Sequence, residues 1–184
     1  MLIKEDKKMK KIAELAQDLL LTDKRNIAID FTCGQGFDTL FLGKHYEHVV
    51  AFDIQEDAIK QSQQRITEQG LFNVEFHQVS HDQFDEYVAS FDAGIFNLGY
   101  LPHGDSSITT QGNIVITALE KGTKLLTSKG KIVVVCYPGF NQGLKESEEV
   151  EKWLSTLPSK EFDVVHISLV NRKSAPYILV IEKH

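Results

Sequence analysis

Three groups of residues in this sequence have the types and spacing to do chemistry. The first is Asp30, Thr32, Cys33, Gly34 and Gly36, followed at once by Asp38 and Thr39. Small residues let a backbone approach a ligand, and a helix opening behind them offers unpaired N–H groups. The second is Asp53, an acid closing an apolar run, where a carboxylate can accept both hydroxyls of a ribose. The third is Asn97 and Tyr100 within "FNLGYLPHGD", a side-chain amide and an aromatic ring close together after another apolar run.

The glycine loop is not built for a dinucleotide. That fingerprint needs a third glycine for close helix packing, and Thr39 stands in its place. Asp38 beside the helix start would repel a pyrophosphate and would suit an ammonium group, and Asp30 could help to position a cation. A ligand with amino acid, ribose and adenine parts fits: S-adenosylmethionine, leaving as S-adenosylhomocysteine. Ile54 and Gln55 could meet the adenine, although Gln55 could equally open a helix. Ser80, His81 and Asp82 follow the next apolar run and could reach the adenine edge; Ser80 or Asp82 could equally be an N-cap.

Asn97 and Tyr100 have the spacing of the Asn-Pro-Pro-Tyr signature of amino-group methyltransferases, with Leu98 and Gly99 replacing both prolines. In that signature carbonyl groups accept the amine's hydrogens and the ring stacks on the base, so Asn97 would border both cofactor and acceptor. The plainer reading is a tight turn with Tyr100 packed inward. Methyl transfer to an amine asks for positioning more than for a nucleophilic side chain, because the sulfonium already carries an activated methyl. An aliphatic amine arrives protonated, and Asp105 and His103 are candidates to take its proton; both could equally be turn residues. His77 and His81 do not share an element, so no metal site is expected. Cys33 suits its place by size, and Trp153 by helix packing.

These residues need elements to hold them. Apolar runs at "NIAIDF", "HVVAFD", "NVEFHQV", "FDAGIFN" and "GKIVVVCY" read as strands, and helical periodicity fills the intervals between them. Ile12, Leu15, Ala16, Leu19 and Leu20 make an opening amphipathic helix; Val150, Trp153, Leu154 and Leu157 mark one near the end. The last strands, "EFDVVHISLV" and "PYILVIEK", are joined by too short a turn for a crossover and must run antiparallel. The expected fold is α/β and Rossmann-like: a seven-stranded, mostly parallel sheet with an antiparallel C-terminal hairpin strand and helices on both faces. Ligands bind such sheets beyond the C-terminal strand ends, where the three groups fall.

The 184 residues suit a single domain, 1–184. No apolar run is long enough to span a membrane, and no signal sequence opens the chain, so a cytosolic protein is expected. Two distant cysteines exclude a disulfide framework. Net charge is −6, unlike a protein that merely coats nucleic acid, yet five lysines fall in the first eleven residues, with Lys24 and Arg25 beyond them. That patch is either an RNA contact or a solvated face. The apolar helix faces are core or the contacts of a homodimer.

The segments "DFTCGQGFDTLFL", "FDIQEDAI", "SHDQ", "FNLGYLPHGDSSITT", "GKIVVVCY" and "ISLVNRKSAPYILVIEK" together resemble the YtqB-like class I methyltransferases, MnmM, over nearly the whole chain. The resemblance implies methyl transfer from S-adenosylmethionine to the exocyclic aminomethyl nitrogen of 5-aminomethyl-2-thiouridine at the tRNA wobble position, with the anticodon stem-loop as partner. It implies that Asp30 to Gly36 and Asp53 bind the cofactor and that Asn97 and Tyr100 face the amine. Pro138 and Phe140 stand where the family often has His, and "NRKSAPY" departs from its usual turn, which leaves substrate preference open. The alternatives are an N-methyltransferase of rRNA or of a small amine, and a non-catalytic module that binds cofactor or RNA.

Overall fold

The computed structural model describes residues 11–99, 112–139 and 141–184. Tyr100, His103, Asp105, Phe140 and the lysines before Lys11 lie outside the described residues.

The chain forms one seven-stranded sheet in the order β3-β2-β1-β4-β5-β7-β6. Its strands are β1 (Ile27–Asp30), β2 (His48–Phe52), β3 (Val74–His77), β4 (Phe91–Leu98), β5 (Leu126–Cys136), β6 (Phe162–Ile167) and β7 (Tyr177–Lys183). The first five pair in parallel; β7 runs antiparallel to both β5 and β6. The strand order reverses between β1 and β4, which opens a crevice above their C-terminal ends. The expected sheet and hairpin are both present.

Helices α1 (Ile12–Leu19), α2 (Phe37–His45), α3 (Glu56–Glu68), α4 (Gly112–Leu125) and α5 (Asn141–Leu154) occupy the intervals. The short helix expected around Gln83 is a 3₁₀ turn, His81–Glu86. β5 begins at Leu126, earlier than the apolar run suggests, because Leu126 pairs with Phe91 and the chain bends at Lys129 (φ 66°).

Side chains alternate across a strand, and β4 shows what that does. Phe96 and Leu98 enter the core cluster with α4 and α5, while Ala93 and Ile95 enter the cluster with α1 and α2. By the same alternation Asn97 emerges on the α1 and α2 side. Beneath the crevice, Phe31 stacks on Phe96 with centroids 4.1 Å apart and meets Phe84 edge-on at 5.0 Å. Gly94 makes room for this ring: a Cβ there would lie 2.8 Å from Phe31. The aromatic floor fixes the start of the loop that follows β1.

Candidate functional site

The loop after β1 is pinned from three sides. Phe31 N donates to Ile95 O at 2.9 Å, Cys33 N donates to Phe52 O at 2.9 Å, and Gly34 N donates to Asp53 Oδ2 at 3.0 Å. Gly36 caps α2 at φ 78°, and an added Cβ would stand 2.8 Å from the Ser62 Cα. It is therefore Gly36 that lets α2 approach α3, which frees the third-glycine position for another residue. Thr39 uses that freedom. It is fully buried, and its hydroxyl donates to Asp30 Oδ2 at 2.6 Å.

Asp30 is also fully buried; its Oδ1 accepts Thr32 N at 3.2 Å. Burial first, then the charge of Asp38, raises its pKa to about 8 against the pull of the Thr39 and Thr32 hydrogen bonds. Its carboxyl has no exposed surface in this structure. Asp30 and Thr39 lock the loop from behind. Cys33, 4% exposed beside Ala51 and Ile59, belongs to the same support, and burial pushes its thiol far above the ordinary range. It is no nucleophile.

The residues that reach the crevice are fewer. Asp38 Oδ1 accepts Gln17 Nε2 at 2.8 Å and its Oδ2 accepts Asn97 Nδ2 at 3.0 Å. Asn97 N in turn donates to Thr32 Oγ1 at 2.8 Å, tying the end of β4 to the glycine loop. Asp53, at the end of β2, accepts Gly34 N and Gln55 N, one on each oxygen, both at 3.0 Å. Burial raises its pKa despite those bonds, so the carboxylate gains from further donors such as ribose hydroxyls. Ile54 is 51% exposed beside it, an apolar surface that a flat base could cover. Gln55 takes the N-cap position of α3 without a side-chain cap bond, as Ser80 does for the 3₁₀ turn. Neither is committed to capping.

His81, expected near the adenine edge, packs against the aromatic floor. It is buried, with its ring edge-on to Phe96 at 5.4 Å, and desolvation lowers its pKa to about 4. It is a neutral core histidine. Asp82 Oδ1, like His81 Nε2, is a buried atom with no hydrogen-bond partner among the described residues. A buried acceptor left unmet costs free energy, and an exocyclic amino group would satisfy it.

Sequence reasoning missed two residues at the site. Gln17 looks like an ordinary polar position of an amphipathic helix. Tyr137 follows β5, and the strand-end rule would have found it. Its hydroxyl pKa is raised by burial and by Asp38, and lowered by a hydrogen bond from Asn97. Gly99 lies against its ring, where an added Cβ would stand 3.7 Å away. Tyr137 is thus the aromatic residue beside Asn97 among the described residues. They hold no group of three or more His, Cys, Asp or Glu able to bind a metal ion, and no helix long and apolar enough to cross a membrane.

A glycine loop beside Asp38, an acid after the second strand and an amide after the fourth converge at the C-terminal ends of β1, β2 and β4. Known proteins resemble this chain along most of its length. A family profile described as "Putative rRNA methylase" matches residues 49–183. The chloroplastic tRNA (mnm(5)s(2)U34)-methyltransferase of Arabidopsis thaliana is 32% identical over 193 residues, covering 96% of this chain and 70% of that protein. A solved structure described as a "putative rRNA-methylase" from Clostridium thermocellum is 34% identical with a TM-score of 0.92, covering 96% of this chain and all (100%) of its own. A methyltransferase homologue from Streptococcus mutans, SMU.1697c, solved with S-adenosylhomocysteine, is 32% identical with a TM-score of 0.89, covering 96% and 100%. The chain belongs to this family of S-adenosylmethionine-dependent methyltransferases.

Proposed function

We propose that the protein transfers a methyl group from S-adenosylmethionine to the aminomethyl nitrogen of 5-aminomethyl-2-thiouridine at the tRNA wobble position. The observation that carries this reading is the Asn97 amide, held at the end of β4 with its NH₂ donating to Asp38 and its carbonyl unpartnered among the described residues, where it can accept from an amine. The plant relative, named for methylation at that position, supports the choice of substrate. The S-adenosylhomocysteine held by the Streptococcus mutans homologue supports the choice of cofactor.

In this reading Asp38 meets the cofactor's ammonium and Gly34 its carboxylate end. Asp53 accepts the ribose hydroxyls, Ile54 lies under the adenine, and Asp82 receives its amino group. The bound cofactor supplies an electrophilic methyl; as nitrogen bonds to it the carbon–sulfur bond breaks, leaving a thioether. The chain's own part is to hold the amine uncharged and in line. Asn97 Oδ1 accepts one of its hydrogens, which orients the lone pair. The half-buried setting of Asn97 and Tyr137 disfavours the ammonium form. A wobble base lies in a single-stranded loop, so a protein this small can reach it without a separate RNA-binding domain. Tyr100 and Asp105 retain their expected roles in this reading, as ring against the base and proton acceptor. The site of action is then the compartment where tRNA matures, the cytosol for this chain.

The net charge of −6 favours a second reading, a small-molecule amine as acceptor. Methyl-labelled cofactor offered together with tRNA carrying the aminomethyl base, rRNA and simple primary amines separates the two. The label is expected in tRNA. Label in rRNA or in the free amines would replace the proposed substrate.

A further inference from the structure

Asp38 touches two side chains whose pairing has a consequence for the reaction. Gln17 on α1 donates to one carboxylate oxygen at 2.8 Å, and Asn97 at the end of β4 donates to the other at 3.0 Å. A carboxylate accepts and does not donate, so the Asn97 atom that faces it is the NH₂. The NH₂ is thereby held by Asp38, and the Asn97 carbonyl has no hydrogen-bond partner among the described residues.

That orientation depends on Asp38 keeping its rotamer, and Asp38 has a second anchor in Gln17. The anchor is firm: Ala16 and Leu20, on either side, have no exposed surface, and Ala16 and Leu20 share a core cluster with Val133, Val135 and Ile178 of β5 and β7. Without Gln17, one oxygen of a 9% exposed carboxylate loses its donor, and the side chain can turn away from Asn97. We propose that Gln17 is a positioning residue for methyl transfer, acting through Asp38 to fix the Asn97 amide with its carbonyl toward the acceptor amine. The proposal rests on Asn97 being the amine's acceptor. It makes α1 part of the reaction machinery, although this helix precedes the residues matched by the family profile.

The plain alternative is that Gln17 only fastens α1 to α2. Three variants separate the two, with cofactor affinity, tRNA KM and kcat measured for each. Gln17→Ala removes the donor and is expected to lower kcat roughly tenfold, with cofactor affinity and KM within about threefold. Gln17→Glu keeps the shape but presents an acceptor to an acceptor, and is expected to lower kcat roughly a hundredfold. Adding Asp38→Asn to Gln17→Glu rebuilds the relay, since the new amide donates to Glu and accepts from Asn97; cofactor affinity should fall because the ammonium loses its carboxylate, but at saturating cofactor kcat should recover part of that loss. A merely structural role predicts lower thermal stability with kcat intact and no recovery.

A readout free of substrate accompanies these. In ¹⁵N-labelled protein the Asn97 side-chain NH₂ should be protected from hydrogen exchange and lose that protection in Gln17→Glu; unchanged protection overturns the proposal. Asn97→Ala separates the underlying reading. If it abolishes transfer while Gln17→Glu leaves kcat and the NH₂ signal alone, only the role of Gln17 fails. If Asn97→Ala also transfers at the normal rate, the acceptor reading fails and takes the role of Gln17 with it.

Discussion

Asp30 and Asp53 are both acids at strand ends, and burial divides their tasks. Asp30 is sealed behind the loop with its pKa raised to about 8 from 3.8. In the unfolded chain it ionises in the ordinary carboxylate range, so between the two values the folded state binds the extra proton. The stability from this group is complete below about pH 4 and is lost as pH rises through about 8. Asp30→Asn removes that dependence. Denaturation of both proteins across the range should show the stability difference, wild type minus variant, falling steadily from pH 4 to 8 and flat above; a constant difference would contradict the burial argument. Asp53 remains partly open, with both oxygens already orienting backbone N–H groups. Asp53→Ala should weaken S-adenosylmethionine binding roughly tenfold to a hundredfold by calorimetry, the loss expected when charged hydrogen bonds go unmade. At this scale the sequence shows which acids stand at strand ends. It does not show that Thr39 closes on Asp30, that Gln17 reaches Asp38, or that His81 turns into the core, because each depends on a neighbour placed by tertiary packing.

At the scale of elements, the close approach of α2 and α3 decides the shape of the loop. Gly36 answers the steric demand that the third glycine meets in dinucleotide folds. Gly36→Ala must place a Cβ 2.8 Å from the Ser62 backbone at a φ of 78°. It should cost about 2–4 kcal/mol, the sum of left-handed strain and overpacking. Gly70 provides the control: its φ is 66°, but a Cβ there meets nothing within 4 Å. Gly70→Ala should cost only about 1 kcal/mol, from strain alone. Equal losses in urea denaturation would mean that α2 and α3 can separate freely. The strands, the hairpin and the helices were legible because apolar period and connection length determine them. The start of β5 and the 3₁₀ turn were not, since Leu126 joins the strand through its pairing with Phe91 and His81 joins the turn through burial against Phe96.

For the whole molecule, the question is how an acidic protein meets RNA. A net charge of −6 gives no general attraction, so binding must be local. Lys11 and Lys24 are exposed on either side of α1, whose Gln17 stands at the candidate site. If they meet phosphates, Lys11→Glu with Lys24→Glu should weaken tRNA binding and flatten its salt dependence by about one unit of log–log slope or more, leaving cofactor affinity unchanged. An unchanged slope would make them a solvated face.

The most direct test of the proposed methyl transfer is the nucleoside itself. The measurement is mass spectrometry of nucleosides from tRNA bearing 5-aminomethyl-2-thiouridine, after incubation with the protein and S-adenosylmethionine. A gain of one methyl on that nucleoside, located on its side-chain nitrogen by fragmentation, is the predicted result. An unchanged nucleoside from a protein that binds the cofactor normally would contradict the proposed substrate.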